Sequence, residues 1–142
     1  TFTPPSAGKY YVGLNAYAAY SSVTLTGTYS AGGTQCGGDP VLTNGTTVGN
    51  LSGATGANAY WCLPAVPSGK TLTVKISGGT GDADLYTRFG SRPTTSTYNC
   101  RPYLTGNAET CTATTTSTTA GDWYVMLRGY AAYSGVTLIG SY

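Results

Sequence analysis

Residues 71–77 read TLTVKIS. In an extended chain Leu72, Val74 and Ile76 point one way, and Thr71, Thr73 and Lys75 the other. The same period-2 pattern returns in ADLYTRF (83–89), with Ala83, Leu85 and Phe89 opposite Asp84, Tyr86 and Arg88. In DWYVMLRGY (122–130) it sets Trp123, Val125 and Leu127 against Tyr124, Met126 and Arg128. GVTLIGSY (135–142) places Val136 and Leu138 opposite Thr137 and Ile139. Turn residues separate the runs at Asn44-Gly45, Pro67-Ser68-Gly69, Gly78-Gly79, Thr105-Gly106-Asn107 and Ala120-Gly121. No segment shows helical periodicity. The expected fold is all-β, an antiparallel sandwich or barrel.

Composition sharpens this reading. The 142 residues suit one domain with its own core, not two ordinary ones. Charged residues make up only 8%, but thirteen Tyr and two Trp argue against disorder. The seven Lys and Arg are scattered, so no basic stripe marks a nucleic-acid partner. Apolar runs are far shorter than the roughly 20 residues of a spanning helix, so no membrane association is expected. The chain begins at Thr1 without Met and is expected to be a processed form whose export signal lay in the missing part.

One stretch occurs twice. Residues 7–29, AGKYYVGLNAYAAYSSVTLTGTY, align without gaps to 120–142, AGDWYVMLRGYAAYSGVTLIGSY, with 15 of 23 positions identical. The 113-residue offset is longer than solenoid repeats. Residues 1–30 therefore read as the C-terminal hairpin of a truncated preceding repeat, 31–39 as a Gly-rich linker, and 40–142 as the complete domain.

Four cysteines and low charge suggest a secreted, extracellular protein with disulfides rather than a metal site. Three pairings are open to Cys36, Cys62, Cys100 and Cys111. The turn-rich RPYLTGNAET between Cys100 and Cys111 favours joining those two, which leaves Cys36–Cys62 by elimination.

The stretch SGGTGDADLYTRFGSRPTTSTYNCRPYLTGNAETCT (77–112) resembles the bacterial pre-peptidase C-terminal domain. The similarity extends to LTNGTTVGNLSG (42–53), AVPSGKTLTVKISGGTGDADLY (65–86) and AGDWYVMLRGYAAYSGVTL (120–138). The resemblance implies a jelly-roll-like β-sandwich without catalysis of its own. It also implies an accessory role beside a secreted bacterial peptidase, in substrate adhesion or in secretion.

The residues are consistent with that. Without a single His, no Ser-His-Asp or Cys-His arrangement exists. Asp82 and Asp84, the close acidic pair, are candidate Ca²⁺ ligands together with carbonyls of the Gly78–Gly81 loop. Their plainer role is to accept loop N–H groups and fix the turn. No cofactor is required. Tyr86, Tyr103, Tyr124, Arg128, Tyr130 and Tyr133 are candidates for an adhesive face for an insoluble protein such as a collagen-like polymer. The duplicated hairpin raises an alternative. Tyr10, Val12, Leu14, Val23 and Leu25 need a core, and strand addition to another subunit would give self-association into a filament or oligomer. Asn44-Gly45-Thr46 and Asn50-Leu51-Ser52 match the glycosylation sequon, but Asn44-Gly45 reads better as a turn.

Overall fold

The computed structural model describes residues 12–26 and 35–142. The chain divides into two units, residues 1–30 and 31–142. In the first unit, residues 12–26 contain no strand and every side chain is exposed. The hairpin expected over 7–29 is thus absent from those residues. A two-stranded ribbon is marginal in water without a sheet to receive its apolar side. Tyr10 lies outside the described residues.

Among its described residues the second unit holds seven strands: β1 (Thr47–Gly53), β2 (Asn58–Val66), β3 (Thr71–Ser77), β4 (Ala83–Phe89), β5 (Glu109–Thr114), β6 (Gly121–Gly129) and β7 (Tyr133–Ser141). One sheet has the order β1-β7-β3-β5 and the other β2-β6-β4, all antiparallel. The two halves of the repeated motif, β6 and β7, therefore sit inside different sheets. Leu72, Val74 and Ile76 of β3 meet Trp123, Val125 and Leu127 of β6 and Val136 and Leu138 of β7 in one buried cluster. The alternation that defines these strands in the sequence is the alternation that fills this core.

Two disulfides tie loops to the sheets, joining Cys36 to Cys62 of β2 and Cys100 to Cys111 of β5. At the first, the Asp122 carboxylate accepts the backbone N–H groups of Cys36 (3.0 Å) and Ala65 (2.9 Å). Asn44 is used structurally, its side chain exchanging hydrogen bonds with the backbone of Tyr142 at 2.9 and 3.3 Å.

The three-stranded sheet is covered on both faces. The segment 90–108 folds back over its outer side, with Thr87 bonded to the backbone of Asn99 and Cys100. Tyr98 meets Tyr86 edge-on at 5.6 Å, and the Arg101 guanidinium lies 4.9 Å from the Tyr86 ring centre. Tyr60, Met126 and Tyr86 are in register across this face. Met126 and Tyr86 are consequently buried, against the outward position that alternation assigns them.

Candidate functional site

The loop before β4 runs against the β6–β7 turn. A Cβ at Gly79 would overlap the Ser134 carbonyl and one at Gly81 the Ala132 carbonyl, and both residues have positive φ, +68° and +86°. Only glycine permits this approach. The Ala131 N–H donates to the carbonyl of Asp82 (3.1 Å), which brings Tyr130 beside the two aspartates.

The loop is fixed by Asn107, not by the aspartates. Its Oδ1 accepts the Ala83 N–H at 2.8 Å, and its Nδ2 donates to the carbonyls of Gly78 (3.0 Å) and Thr80 (3.2 Å). Glu109 completes the frame. One carboxylate oxygen accepts the N–H of Leu85 and the other that of Leu104, both at 2.6 Å. Burial pushes the Glu109 carboxyl above the usual range, against the lowering effect of these two donors, and Asp84 and Asp82 add to the rise. Tyr103 stands beside this bond with φ +58°, a left-handed backbone that bulky residues rarely adopt.

These contacts frame an open cavity of about 200 Å³ lined by Asp82, Asp84, Tyr103, Leu104, Thr105 and Tyr130. Asp84 is buried and bonded to Arg101 at 3.0 Å. Arg101 in turn stacks 3.6 Å over the Tyr103 ring. Tyr103 and Tyr130, both more than half exposed, stand edge to face with ring centres 6.3 Å apart. Asp82 Oδ1 is buried and has no hydrogen-bond partner among the described residues.

The six residues expected on one adhesive face are thus divided. Tyr103 and Tyr130 come together at the cavity mouth. Tyr86 is under the 90–108 segment, and Tyr133 is buried with its ring against Gly53, so neither is on the surface. Tyr124 is half-buried opposite Cys62, and Arg128 reaches toward Gly56 and Asn58. The expected turn-fixing role of Asp82 and Asp84 is not what their side chains do. As to cations, the carbonyls of Gly78 and Thr80 already accept from Asn107, and that of Asp82 from Ala131. Among the described residues, the one grouping with metal-ligand spacing is Cys36, Cys62 and Asp122, and its two sulfurs are in a disulfide. Of the self-association residues, Val12, Leu14, Val23 and Leu25 are exposed.

Sequence reading missed Asn107, Arg101 and Glu109. For Glu109 a signal existed: two residues before Cys111 on one strand, it faces the same way as a buried cysteine.

The sequence pattern of the bacterial pre-peptidase C-terminal domain matches residues 65–129. The chain is 46% identical over 117 residues to the alkaline serine exoprotease A of Vibrio alginolyticus, covering 78% of this chain and 21% of that protein. It is 48% identical over 108 residues to a zinc metalloprotease of Helicobacter pylori, covering 72% of this chain and 41% of the relative. The chain thus spans well under half the length of these relatives. Among solved structures, the solution structure of vEP C-ter 100 superposes with a TM-score of 0.60 at 46% identity, over 72% of this chain and 99% of that one. The pre-peptidase C-terminal domain of a Bacillus anthracis collagenase shares the fold, with a TM-score of 0.54 at 15% identity over 72% of this chain and 94% of that one.

Proposed function

The chain belongs to the bacterial pre-peptidase C-terminal domain family, and from that premise we propose that it serves outside the cell as an accessory module that holds a secreted peptidase to protein substrates. The module itself is non-catalytic. The observation that carries the reading is its occurrence in relatives of unlike chemistry. A serine exoprotease and a zinc metalloprotease share this segment at 46% and 48% identity. Neither hydrolytic mechanism can reside in what both have in common. A task useful to either enzyme is to bring it to its substrate or to assist its export. The exposed Tyr103, Leu104 and Tyr130 around a cavity supply a surface for the first. Grafting the chain behind a peptidase that lacks it tests this. Hydrolysis of a fibrous protein is expected to rise while that of a short soluble peptide stays unchanged. Equal rates on the fibre with and without the graft would contradict the reading.

The alternative, self-assembly through residues 1–30, draws on the repeat. The positions of Val125, Leu127, Tyr133, Val136 and Leu138, all buried, carry the same residues in the first copy as Val12, Leu14, Tyr20, Val23 and Leu25. The first copy is nevertheless a poor tenant for the β6–β7 slot of this body. Ala16 stands in the place of Gly129, where a Cβ would overlap the Ala54 carbonyl. Lys9 replaces Asp122 and cannot accept the Cys36 and Ala65 N–H groups. These misfits favour a hairpin suited to another, preceding copy over exchange between identical subunits.

A further inference from the structure

We propose that the cavity between Asp82, Tyr103 and Tyr130 receives one cationic side chain, lysine or arginine, of a protein ligand. The inference rests on the adhesion reading and names what that surface would grip.

The starting point is Asp82. Among the described residues its buried Oδ1 has no partner, and the loop around it is fixed by Asn107 instead. A buried carboxylate oxygen without a donor opposes folding. The residue as a whole is half-buried and lines the cavity, so a donor arriving from outside would meet its other carboxylate oxygen. The neighbouring charge is differently placed, because Asp84 is bonded to Arg101. Arg128 lies opposite Asp84 in register but directs its guanidinium toward Gly56 and Asn58 at 3.4 Å. Among the described residues, Asp82 is the carboxylate at the cavity that forms no ion pair.

The mouth suits the same ligand. Tyr103 already carries the Arg101 guanidinium on its ring at 3.6 Å, which leaves Tyr130 as the open aromatic wall. Tyr130 stands nearly perpendicular to it and is 61% exposed. The Leu104 side chain at the rim matches the methylene stem of a long basic residue. At about 200 Å³ the space suits the end of one side chain and falls below the roughly 300–1,000 Å³ of small-molecule pockets. A calcium ion fits less well. It needs about six to eight oxygens, and the loop carbonyls already accept hydrogen bonds from Asn107 and Ala131.

The test is an NMR titration of the full chain with N-acetyl-lysine methylamide, N-acetyl-arginine methylamide and the uncharged N-acetyl-norleucine methylamide, with calcium chloride in parallel. Saturable low-millimolar binding of both cationic probes is expected, with shifts centred on Asp82, Thr105 and Tyr130 and weakening with salt. Norleucine is expected to leave these signals in place. Asp82→Asn and Tyr130→Leu, each checked for an unchanged fold by their remaining amide signals, are expected to weaken the lysine probe roughly fivefold or more. No shifts at tens of millimolar probe, equal response to norleucine, or shifts with calcium alone would overturn the proposal. Co-sedimentation of the wild-type and Asp82→Asn chains with insoluble collagen separates the two levels. Wild-type adhesion without probe binding and without an Asp82→Asn effect would sink this inference alone. Absence of wild-type adhesion would sink the adhesion reading.

Discussion

Replacing Asn107 by aspartate keeps the shape of the side chain and removes its donors. In the protein, Asn107 Oδ1 accepts from Ala83, and Nδ2 donates to the carbonyls of Gly78 and Thr80 at 3.0 and 3.2 Å. In Asn107→Asp a carboxylate oxygen would face those two carbonyl oxygens at the same distances. Two hydrogen bonds are lost, and a buried acceptor left unmet costs about 1–3 kcal/mol. The sum is about 3 kcal/mol, against a total stability of about 5–15 kcal/mol for a domain. At about 4 °C per kcal/mol for a body of this size, the melting temperature is expected to fall by roughly 12 °C. The loss is pH-dependent with a definite sign. The new carboxyl, held among acceptors, has a folded-state pKa above its unfolded value of about 3.9. Its relative stability is therefore greatest below that unfolded value and is lost as pH rises through the folded one. Thermal unfolding at pH 4 and pH 7 measures this, with a smaller deficit expected at pH 4. An Asn107→Asp protein as stable as the wild type at pH 7 would refute the claim that this residue fixes the loop.

Asp82→Asn is the companion test, since the carboxylate makes no hydrogen bond among the described residues; its urea midpoint is expected to match or exceed that of the wild type. Glu109→Gln offers one acceptor where two N–H groups need one each, and is expected to lose about 1–3 kcal/mol at neutral pH in the same assay. Because Glu109 has a raised pKa, its ionisation removes stability as pH climbs from its unfolded value through the folded one; the Gln variant is expected to lack that part of the pH profile. Gly129→Ala installs the residue of the first copy and is expected to lower the melting temperature by forcing the backbone away from Ala54. Light scattering of the full chain is expected to give a monomer near 14.5 kDa, while large ordered assemblies would revive strand exchange.

The sequence was most readable where one face of a strand meets the core. β3, with Leu72, Val74 and Ile76 in alternation, is expected over the residues where it forms. β4 and β6 were placed equally well, but their second faces misled: Tyr86 and Met126 look outward until the 90–108 segment closes over them, a long-range event that no local pattern records. β1 was not read because Gly49 and Asn50 interrupt it and its pairing with β7 shifts register there. β2 was obscured by Pro64 near its own irregularity. β5 buries Glu109 and Cys111 where a hydrophobic pair would be expected, and so resembles a polar loop. In the sequence Asp82 and Asp84 stand out as the close acidic pair, and Tyr103 and Tyr130 as candidates for an adhesive face. Their meeting at one cavity depends on the Gly79 and Gly81 contacts and on Asn107, which pair residues some 24–57 positions apart.

The central claim is that this non-catalytic domain adheres to insoluble protein. The most direct measurement is a co-sedimentation isotherm of the full 142-residue chain with insoluble collagen at two salt concentrations. Saturable binding, reduced by salt and by Asp82→Asn, is the predicted result. A chain that remains in the supernatant at every concentration, at both salts, would contradict the account.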